Sequence, residues 1–253
     1  MIQISAVIIT YNEEKNIERC LKSLSGIVDE IVVIDSFSTD RTIEICNRFN
    51  VVLISHEWLG YSKQKNLGNQ TATHDYILSV DADEALSEPL KNSILELKNQ
   101  PFTGAYSVNR MVNYCGHWIK HTSWYPDNKI RIWNKREGKW KGEIHETIEF
   151  KSPTSITLLK GDLHHYTYYT EEEHIAQQVK FSTIAAQDMF NQGKRAPLYK
   201  LILNPLASFI KDMIIRSGYL DGASGLKISI ISAKSVYWKY KKLRQHWQNQ
   251  ESV

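Results

Sequence analysis

The sequence predicts an α/β protein with a doubly wound, mostly parallel β-sheet and a C-terminal helical extension. Over the first hundred residues, short apolar runs alternate with segments of helical periodicity. The runs are apolar throughout rather than at every second position, which is typical of parallel strands covered by helices on both faces. After residue 193 the chain becomes basic and amphipathic, which predicts the helical extension.

The predicted strands and helices alternate in chain order. Strands are expected at residues 5–10, 31–35, 51–55 and 75–81. Helices are expected at 13–24, from the polar residues 38–40 to about 49, and at 62–71 and 88–99. Asn12, Ser38 and Ser87 are suited to cap three of these helices at their N-termini.

Polar residues stand where the four predicted strands end. They are Thr10, Asp35, Ser55 and Asp81. Open α/β sheets bind ligands outside the carboxyl ends of their strands. We therefore expect the functional site at this edge.

The pattern changes after about residue 104. Short β-like pieces rich in Trp, His and Tyr extend to about 169, and a helix is expected at 171–191. In the tail, 194–253, residues 198–215 and 226–243 look amphipathic, and glycines at 218–225 suggest a hinge.

The charge of +3 is unevenly distributed. The tail carries eleven Lys/Arg against three Asp/Glu, whereas the first 193 residues carry twenty against twenty-five. A basic tail indicates an anionic partner. Apolar residues recur in it at helical spacing, so we expect a membrane surface rather than nucleic acid. Packing of this stripe on the rest of the chain, or in a homodimer, is the alternative. The stripe consists of Leu201, Ile202, Phe209, Ile210, Met213 and Ile214.

Cysteine usage and hydropathy bear on the compartment. Three scattered cysteines without a Cys-x-x-Cys motif suit a reducing environment. The N-terminus lacks a basic leader followed by an apolar run, and no run of about 18 uncharged apolar residues occurs. We expect a cytoplasmic protein, peripheral on the inner face of the cytoplasmic membrane.

Asp81 and Asp83 follow the apolar strand YILSV. Residues two apart on an extended chain point the same way, so both carboxylates can face one spot. Two hard ligands with open positions suit Mg²⁺ or Mn²⁺, which in turn hold diphosphate oxygens. A solvated acidic turn is the structural alternative.

Further polar residues could contribute to chemistry. Asp35 could accept hydrogen bonds from a ligand or cap the next turn, and Lys65 could offset negative charge. His145 could add a metal ligand, in competition with the pair at 164–165, and Glu146 could act as a general base. Position 149 is Glu rather than His, which excludes the His-Glu-x-x-His zinc motif.

Taken together, these segments resemble family 2 glycosyltransferases of the GT-A fold. Four motifs match in order: AVIITYNEEKNIERCLKSL, DEIVVIDSFSTDRT, GYSKQKNLG and YILSVDADE. GHWIKHTSWYPDNKIRIWNK, GEIHE, LHHYTYYT and GYLDGASG are similar to the subgroup that contains the lipopolysaccharide inner-core β-glucosyltransferases. Asp35-Ser36 stands where many members have paired aspartates, which puts one contact to the base in doubt.

The resemblance implies a metal-dependent, inverting hexosyltransferase with a nucleotide-sugar donor, expected to be a UDP-sugar, and a glycan or lipid-linked acceptor. Residues 1–193 would form the catalytic domain, with a donor half, 1–100, and an acceptor half, 101–193, followed by the tail, 194–253. Asp81 and Asp83 would frame the ribose and the metal. Glu146 is the expected base and Asp127 the second candidate. The remaining donor-site residues would be Thr10, Asn12, Glu13, Asp35 and Lys65.

Three other classes fit parts of the sequence. A phosphohydrolase of the haloacid dehalogenase type also uses Asp-x-Asp, but normally on the first strand. A sugar-phosphate nucleotidyltransferase needs an N-terminal Gly-rich loop, which TYNEEKN lacks. A non-catalytic peripheral membrane protein would not require the acidic residues of the first half.

Overall fold

The computed structural model describes residues 1–142 and 146–251. The chain divides into two compact units. Unit 1 contains Met1–Arg110 and Asp127–Tyr166, and unit 2 contains Met111–Pro126 and the chain from Thr167 onwards. The predicted boundary at residue 193 stays a prediction, although the unit that holds the tail also takes in the helix before it.

The four predicted strands form the parallel part of the main sheet. They are β1 (Ile4–Thr10), β2 (Glu30–Asp35), β3 (Val52–Ser55) and β4 (Tyr76–Asp81). β1 lies between β2 and β4, and β3 pairs with β2, all in parallel. The expected parallel sheet is confirmed.

Seven further strands follow in the described part of the chain, and all of them except one hairpin extend this sheet. They are β5 (Glu84–Leu86), β6 (Ala105–Tyr114), β7 (His117–Trp118), β8 (Asn128–Asn134), β9 (Gly138–Lys141), β10 (Thr147–Phe150) and β11 (Ile156–Tyr168). Among the described residues the strand order is β3-β2-β1-β4-β8-β6-β11-β5, with β7 on β6 and β9–β10 as a separate hairpin. β8 runs antiparallel to β4.

Helices cover both faces of the parallel strands, as a doubly wound sheet requires. They are α1 (Ile17–Leu24), α2 (Thr42–Cys46), α3 (Tyr61–Thr71) and α4 (Glu88–Leu97). Alternate residues of β1 enter different cores: Ile8 packs with α1, α2 and α4, whereas Val7 packs with Leu67 of α3 and with Trp133. The α/β fold class is confirmed.

The expected bounds of two helices need correction, and Ser38 does not cap α2, whose N-cap residue is Arg41. α1 begins at Ile17, and Asn12 does not cap it. Instead, Asn12 has a positive φ of 54°, and its side-chain oxygen accepts a hydrogen bond from the N–H of Thr39. α2 ends at Cys46, earlier than expected. Ser87 does cap α4, because its hydroxyl accepts from the N–H of Leu90.

Unit 2 holds the three C-terminal helices, α5 (Glu171–Asn191), α6 (Lys200–Ile210) and α7 (Gly222–Glu251). α7 packs on α5 and on α6, and Leu243 is buried beside Ala186. No described helix is long and apolar enough to cross a membrane.

Two of the three glycines expected to form a hinge, Gly218 and Gly225, are closely packed, whereas a Cβ on Gly222 would meet nothing within 4 Å. A Cβ atom added to Gly225 would lie 1.9 Å from the carbonyl oxygen of Gly218. One added to Gly218 would lie 2.7 Å from the carbonyl oxygen of Asp212. Gly218 and Gly225 therefore permit close backbone contact at the two ends of this segment, and the hinge stays a prediction.

Candidate active site

The strand ends lie side by side at one edge of the sheet. Thr10 is in register with Asp35, and Asp35 with Ser55. On the other side of β1, Ile9 is in register with Asp81. The parallel pairing therefore confirms that these ends share one edge, which is where α/β sheets bind ligands.

The loop after β1 is held against the loop after β2. The N–H of Asn12 donates to Ser38 Oγ at 2.8 Å, and the N–H of Glu13 donates to Thr42 Oγ1 at 2.8 Å. Burial raises the pKa of Glu13. A hydrogen bond from Asn16 lowers this pKa and the nearby negative charge of Asp83 raises it, but the net shift is upward. The loop is thus fixed before any ligand binds.

Thr10 and Asp35 differ in what they offer a ligand. Among the described residues, the buried Thr10 hydroxyl has no hydrogen-bond partner. A buried polar group without a partner is unusual and indicates a missing ligand or water. Asp35 is fully buried, and its carboxylate accepts from both the N–H and the hydroxyl of Ser38. It therefore fills the turn-capping role here.

Lys65 joins two of the predicted site residues. It lies on α3 and is 4% exposed, and its Nζ is 3.1 Å from both Asp81 Oδ1 and Glu146 Oε1. The ring of Trp140 lies 4.7 Å from the same Nζ. The structure thus brings together the strand end, the expected phosphate-facing lysine and the expected base.

Arg131 is a site residue that the sequence reasoning missed. This buried residue of β8 places Nη2 3.0 Å from Asp81 Oδ2 and 2.5 Å from Glu84 Oε1. Its only sequence signal is a charged residue between the apolar residues of IRIW. Both oxygens of Asp81 therefore contact cations.

The charges in this cluster set the pKa values of its carboxyl groups. Burial alone would raise the pKa of Asp81, but Arg131 and Lys65 outweigh it and hold that pKa below its ordinary value. Burial raises the pKa of Glu84 despite the charge of Arg131, and the negative charge of Asp81 adds to this rise. Asp81 is the carboxylate that these cations keep ionised.

Asp83 is paired differently from Asp81. Its Oδ2 is 3.0 Å from Nε2 of His165, a residue of β11. No group of three or more His, Cys, Asp or Glu side chains is placed to hold a metal among the described residues. His145, the third expected ligand, lies outside the described residues. The described part of this edge thus brings one carboxylate, Asp83, into contact with one imidazole, His165.

Asp127, the second candidate base, is bonded to cations. Its Oδ2 is 2.8 Å from Nη2 of Arg110, and its Oδ1 is 3.0 Å from Nζ of Lys129. Burial would raise the pKa of Asp127, but Arg110 and Lys129 hold it below its ordinary value. A carboxylate held in this way is a weaker proton acceptor.

Clustered carboxylates and cations at the carboxyl edge of an open α/β sheet stand where proteins of this fold class bind their ligands. The chain belongs to Glycosyl transferase family 2, which matches residues 5–156. It is 32% identical to an uncharacterized glycosyltransferase of Rickettsia typhi over 97% of this chain and 88% of that protein. The glycosyltransferase class is thereby confirmed, and the phosphohydrolase and non-catalytic alternatives are set aside.

Two further similarities are to a lipopolysaccharide core biosynthesis protein and to a solved structure. The lipopolysaccharide core biosynthesis glycosyltransferase LpsC of Rhizobium meliloti is 26% identical over 94% of this chain and 93% of its own length. The structure of S. aureus TarS 1–349 in complex with UDP-GlcNAc matches at 15% identity, with 98% of this chain and 92% of that chain covered and a TM-score of 0.47.

Proposed function

We propose that the protein is an inverting transferase that moves a sugar from a UDP-sugar to a hydroxyl of a cell-envelope glycan or lipid-linked acceptor. The observation that carries this proposal is the position of Lys65, 3.1 Å from both Asp81 and Glu146. A cation at this point can face a diphosphate while a carboxylate beside it faces the attacking hydroxyl. Family membership supplies the reaction class.

The donor would bind along the edge formed by the loops after β1 and β2. The unpartnered hydroxyl of Thr10 is available to a ligand, and the loop of Asn12 and Glu13 is already fixed. Asp35 already accepts hydrogen bonds from Ser38. A contact between Asp35 and the nucleobase of the donor would therefore have to share or replace those hydrogen bonds. Uridine is proposed from the family resemblance.

The residues at this edge fit a divalent metal at Asp83 rather than at Asp81. Asp83 and His165 provide an oxygen and a nitrogen donor, whereas both oxygens of Asp81 contact cations. Mg²⁺ and Mn²⁺ commonly take few protein ligands and complete their shell with phosphate oxygens and water. When bound, such an ion neutralises charge on the departing diphosphate.

Glu146 is proposed as the general base. The acceptor hydroxyl oxygen attacks the anomeric carbon of the donor sugar and its proton passes to the Glu146 carboxylate. The bond between the anomeric carbon and the β-phosphate oxygen breaks, and its electron pair leaves with UDP. Lys65 then faces increased negative charge on the diphosphate, which it stabilises as a point charge.

Glu146→Gln tests the base directly. It keeps the shape of the side chain but cannot accept the proton, so turnover should fall by roughly 10²–10⁴ while UDP affinity changes little. Glu149→Gln, on the exposed part of β10, is the matched control and should retain full turnover. If Asp127→Asn lowers turnover in this way and Glu146→Gln does not, Asp127 is the base.

The acceptor and the location are proposed from the relatives and from the tail. LpsC is named for lipopolysaccharide core biosynthesis, which supports a cell-envelope acceptor. α6 has no buried residue, and it exposes Ile202, Leu203 and Leu206. An exposed apolar helix with basic neighbours suits the surface of an anionic bilayer, so we propose a peripheral position on the inner face of the cytoplasmic membrane.

The second part of the tail is engaged within unit 2. Lys242 donates to the carbonyl oxygen of Val179 and to the hydroxyls of Ser182 and Thr183 on α5. Tyr240 accepts a hydrogen bond from Asn204. α7 therefore packs on its neighbours, and the proposed membrane contact rests on α6. A homodimer through α6 is the competing interpretation of its exposed face.

A further inference from the structure

Two segments of unit 2 that the site at the sheet edge does not use meet around one cavity. The first runs from Lys120 to Pro126 and the second from Ile215 to Ser217, and together they line an open cavity of about 420 Å³. The volume lies within the range of small-ligand sites. The first segment belongs to GHWIKHTSWYPD, and the second directly precedes GYLDGASG.

We propose that this cavity binds a phosphate group. Lys120, Arg216 and Ser217 are among the described residues that line it, and no carboxylate is among them. Lys120 is exposed and forms no ion pair within the part of the chain that the structure describes. Lysine, arginine and hydroxyl groups are the side chains that bind phosphate oxygens.

A buried carboxylate positions the cationic segment. Asp221 is 4% exposed, and its oxygens accept from the N–H groups of Lys120 and His121 at 3.1 and 2.9 Å. Asp221 Oδ1 also lies 3.0 Å from Nδ1 of His121. The three contacts fix the direction of this segment before a ligand arrives.

The second segment is fixed as firmly as the first. The N–H of Thr122 donates to the carbonyl oxygen of Arg216, and a Cβ on Gly218 would lie 2.9 Å from Thr122 Cγ2. Asp212, also buried, accepts from Ser123 and lies 3.8 Å from Nη1 of Arg216. The cavity is therefore preformed, which lowers the entropic cost of binding.

Strained backbone occurs on both sides of the cavity. Thr122 has a φ of 64° and Ser217 a φ of 55°, and a β-branched residue rarely adopts the left-handed region. Such strain persists only where surrounding contacts enforce it, and it concentrates at functional sites. Together with the buried Asp221 and the cationic side chains of Lys120 and Arg216, it indicates a built binding site.

The molecule that carries the phosphate group would be the sugar acceptor. This choice of molecule rests on the proposed function. A phosphorylated sugar and a phospholipid head group present the same chemistry to the cavity. Binding of phosphate itself depends only on unit 2, whereas donor binding depends on the sheet edge of unit 1. The two proposals can therefore fail separately.

The test is calorimetric titration of the full chain with inorganic phosphate, with and without saturating UDP. We expect saturable binding that UDP does not abolish. Lys120→Gln and Arg216→Gln should each weaken it roughly tenfold or more, because each removes a charge-assisted hydrogen bond. Lys234→Gln, at an exposed lysine of α7, is the matched control and should bind phosphate as the wild type does.

Competition then separates the sources of the phosphate group. Displacement of phosphate by glucosamine 1-phosphate supports a phosphorylated glycan, and displacement only by vesicles that contain phosphatidic acid supports a lipid head group. Absence of saturable phosphate binding, or equal binding by all variants, would overturn the proposal. UDP titrations of the same variants show that they are folded and report on the donor site independently.

Discussion

Replacement of Arg131 by Met should destabilise unit 1 strongly. The side chain keeps much of its apolar volume but loses the guanidinium that lies 2.5 Å from Glu84 and 3.0 Å from Asp81. Removal of one partner of a buried ion pair costs about 3–5 kcal/mol, because a charge is left without compensation. The free energy of unfolding should fall accordingly.

The remaining contacts place the loss near the lower end of this range. Asp81 keeps Lys65 at 3.1 Å, and Glu84 keeps a hydrogen bond from the N–H of Asp81. We therefore expect a loss of about 3 kcal/mol. For a chain of this size, each kcal/mol lowers Tm by about 2–4 °C, so the expected shift is about 6–12 °C.

The pH dependence of this loss gives a sharper test. In the wild type the pKa of Asp81 lies below its unfolded value, so its stabilisation is present at neutral pH and is lost as the pH falls through the folded pKa. Without Arg131, burial should raise the pKa values of Asp81 and Glu84, and protonation would then favour the folded state. The difference in the free energy of unfolding between the wild type and Arg131→Met should therefore become smaller as the pH falls from 7 to 5.

The measurement is thermal unfolding followed by circular dichroism at several pH values. Arg136→Met is the matched control, because that arginine pairs with Asp75 at 2.8 Å but its side chain is 69% exposed. Exposed pairs contribute about 0–1 kcal/mol, so its Tm should change little. The reasoning is refuted if Arg131→Met loses no more than this control, or if its deficit widens as the pH falls.

Three further predictions test the metal, the packing and the tail. Asp83→Ala should abolish sugar transfer with the fold intact, and EDTA should inhibit the wild type; activity insensitive to both would exclude the metal site. Gly161→Ala should lower Tm by more than Gly116→Ala, since both have positive φ but only the Cβ at 161 meets backbone, at 2.3 Å. Leu206→Ser should lower the affinity for anionic vesicles, measured by sedimentation, by roughly tenfold. Leu158→Ser, at an equally exposed leucine, should not lower it. An equal loss of affinity in both variants, or no vesicle binding by the wild type, would assign α6 to packing or dimerisation.

The parallel core could be predicted from the sequence because its signals are local. Each strand from β1 to β4 is a continuous apolar run with a polar residue at its end, and parallel pairing then fixes the shared edge. The positions of Thr10, Asp35 and Asp81 follow from this rule. Helix starts were less predictable, because Asn12 bonds to Thr39 on another loop instead of capping α1.

The cationic and imidazole partners could not be predicted in the same way, because they come from distant antiparallel strands. Arg131 reaches Asp81 across a sequence separation of 50 residues, and His165 reaches Asp83 across 82. No local periodicity specifies which residue of β8 or β11 faces the carboxylates. A pattern such as Asp-x-Asp therefore predicts a charged site but not how its charge is balanced.

Close packing of α3 on β1 explains how Lys65 can serve both halves of the proposed reaction. A Cβ on Gly68 would lie 2.4 Å from Cγ1 of Val7, so only glycine lets the helix approach the sheet this closely. Lys65 is three residues before Gly68, almost one helical turn away, and this approach brings its side chain to the strand end of Asp81. The same ammonium group holds Glu146 at an equal distance. The proposed base is therefore positioned through the packed core. In KNLG, the glycine permits the close packing and the lysine three residues earlier contacts both Asp81 and Glu146, so the proposed mechanism depends on this spacing as well as on Asp-x-Asp.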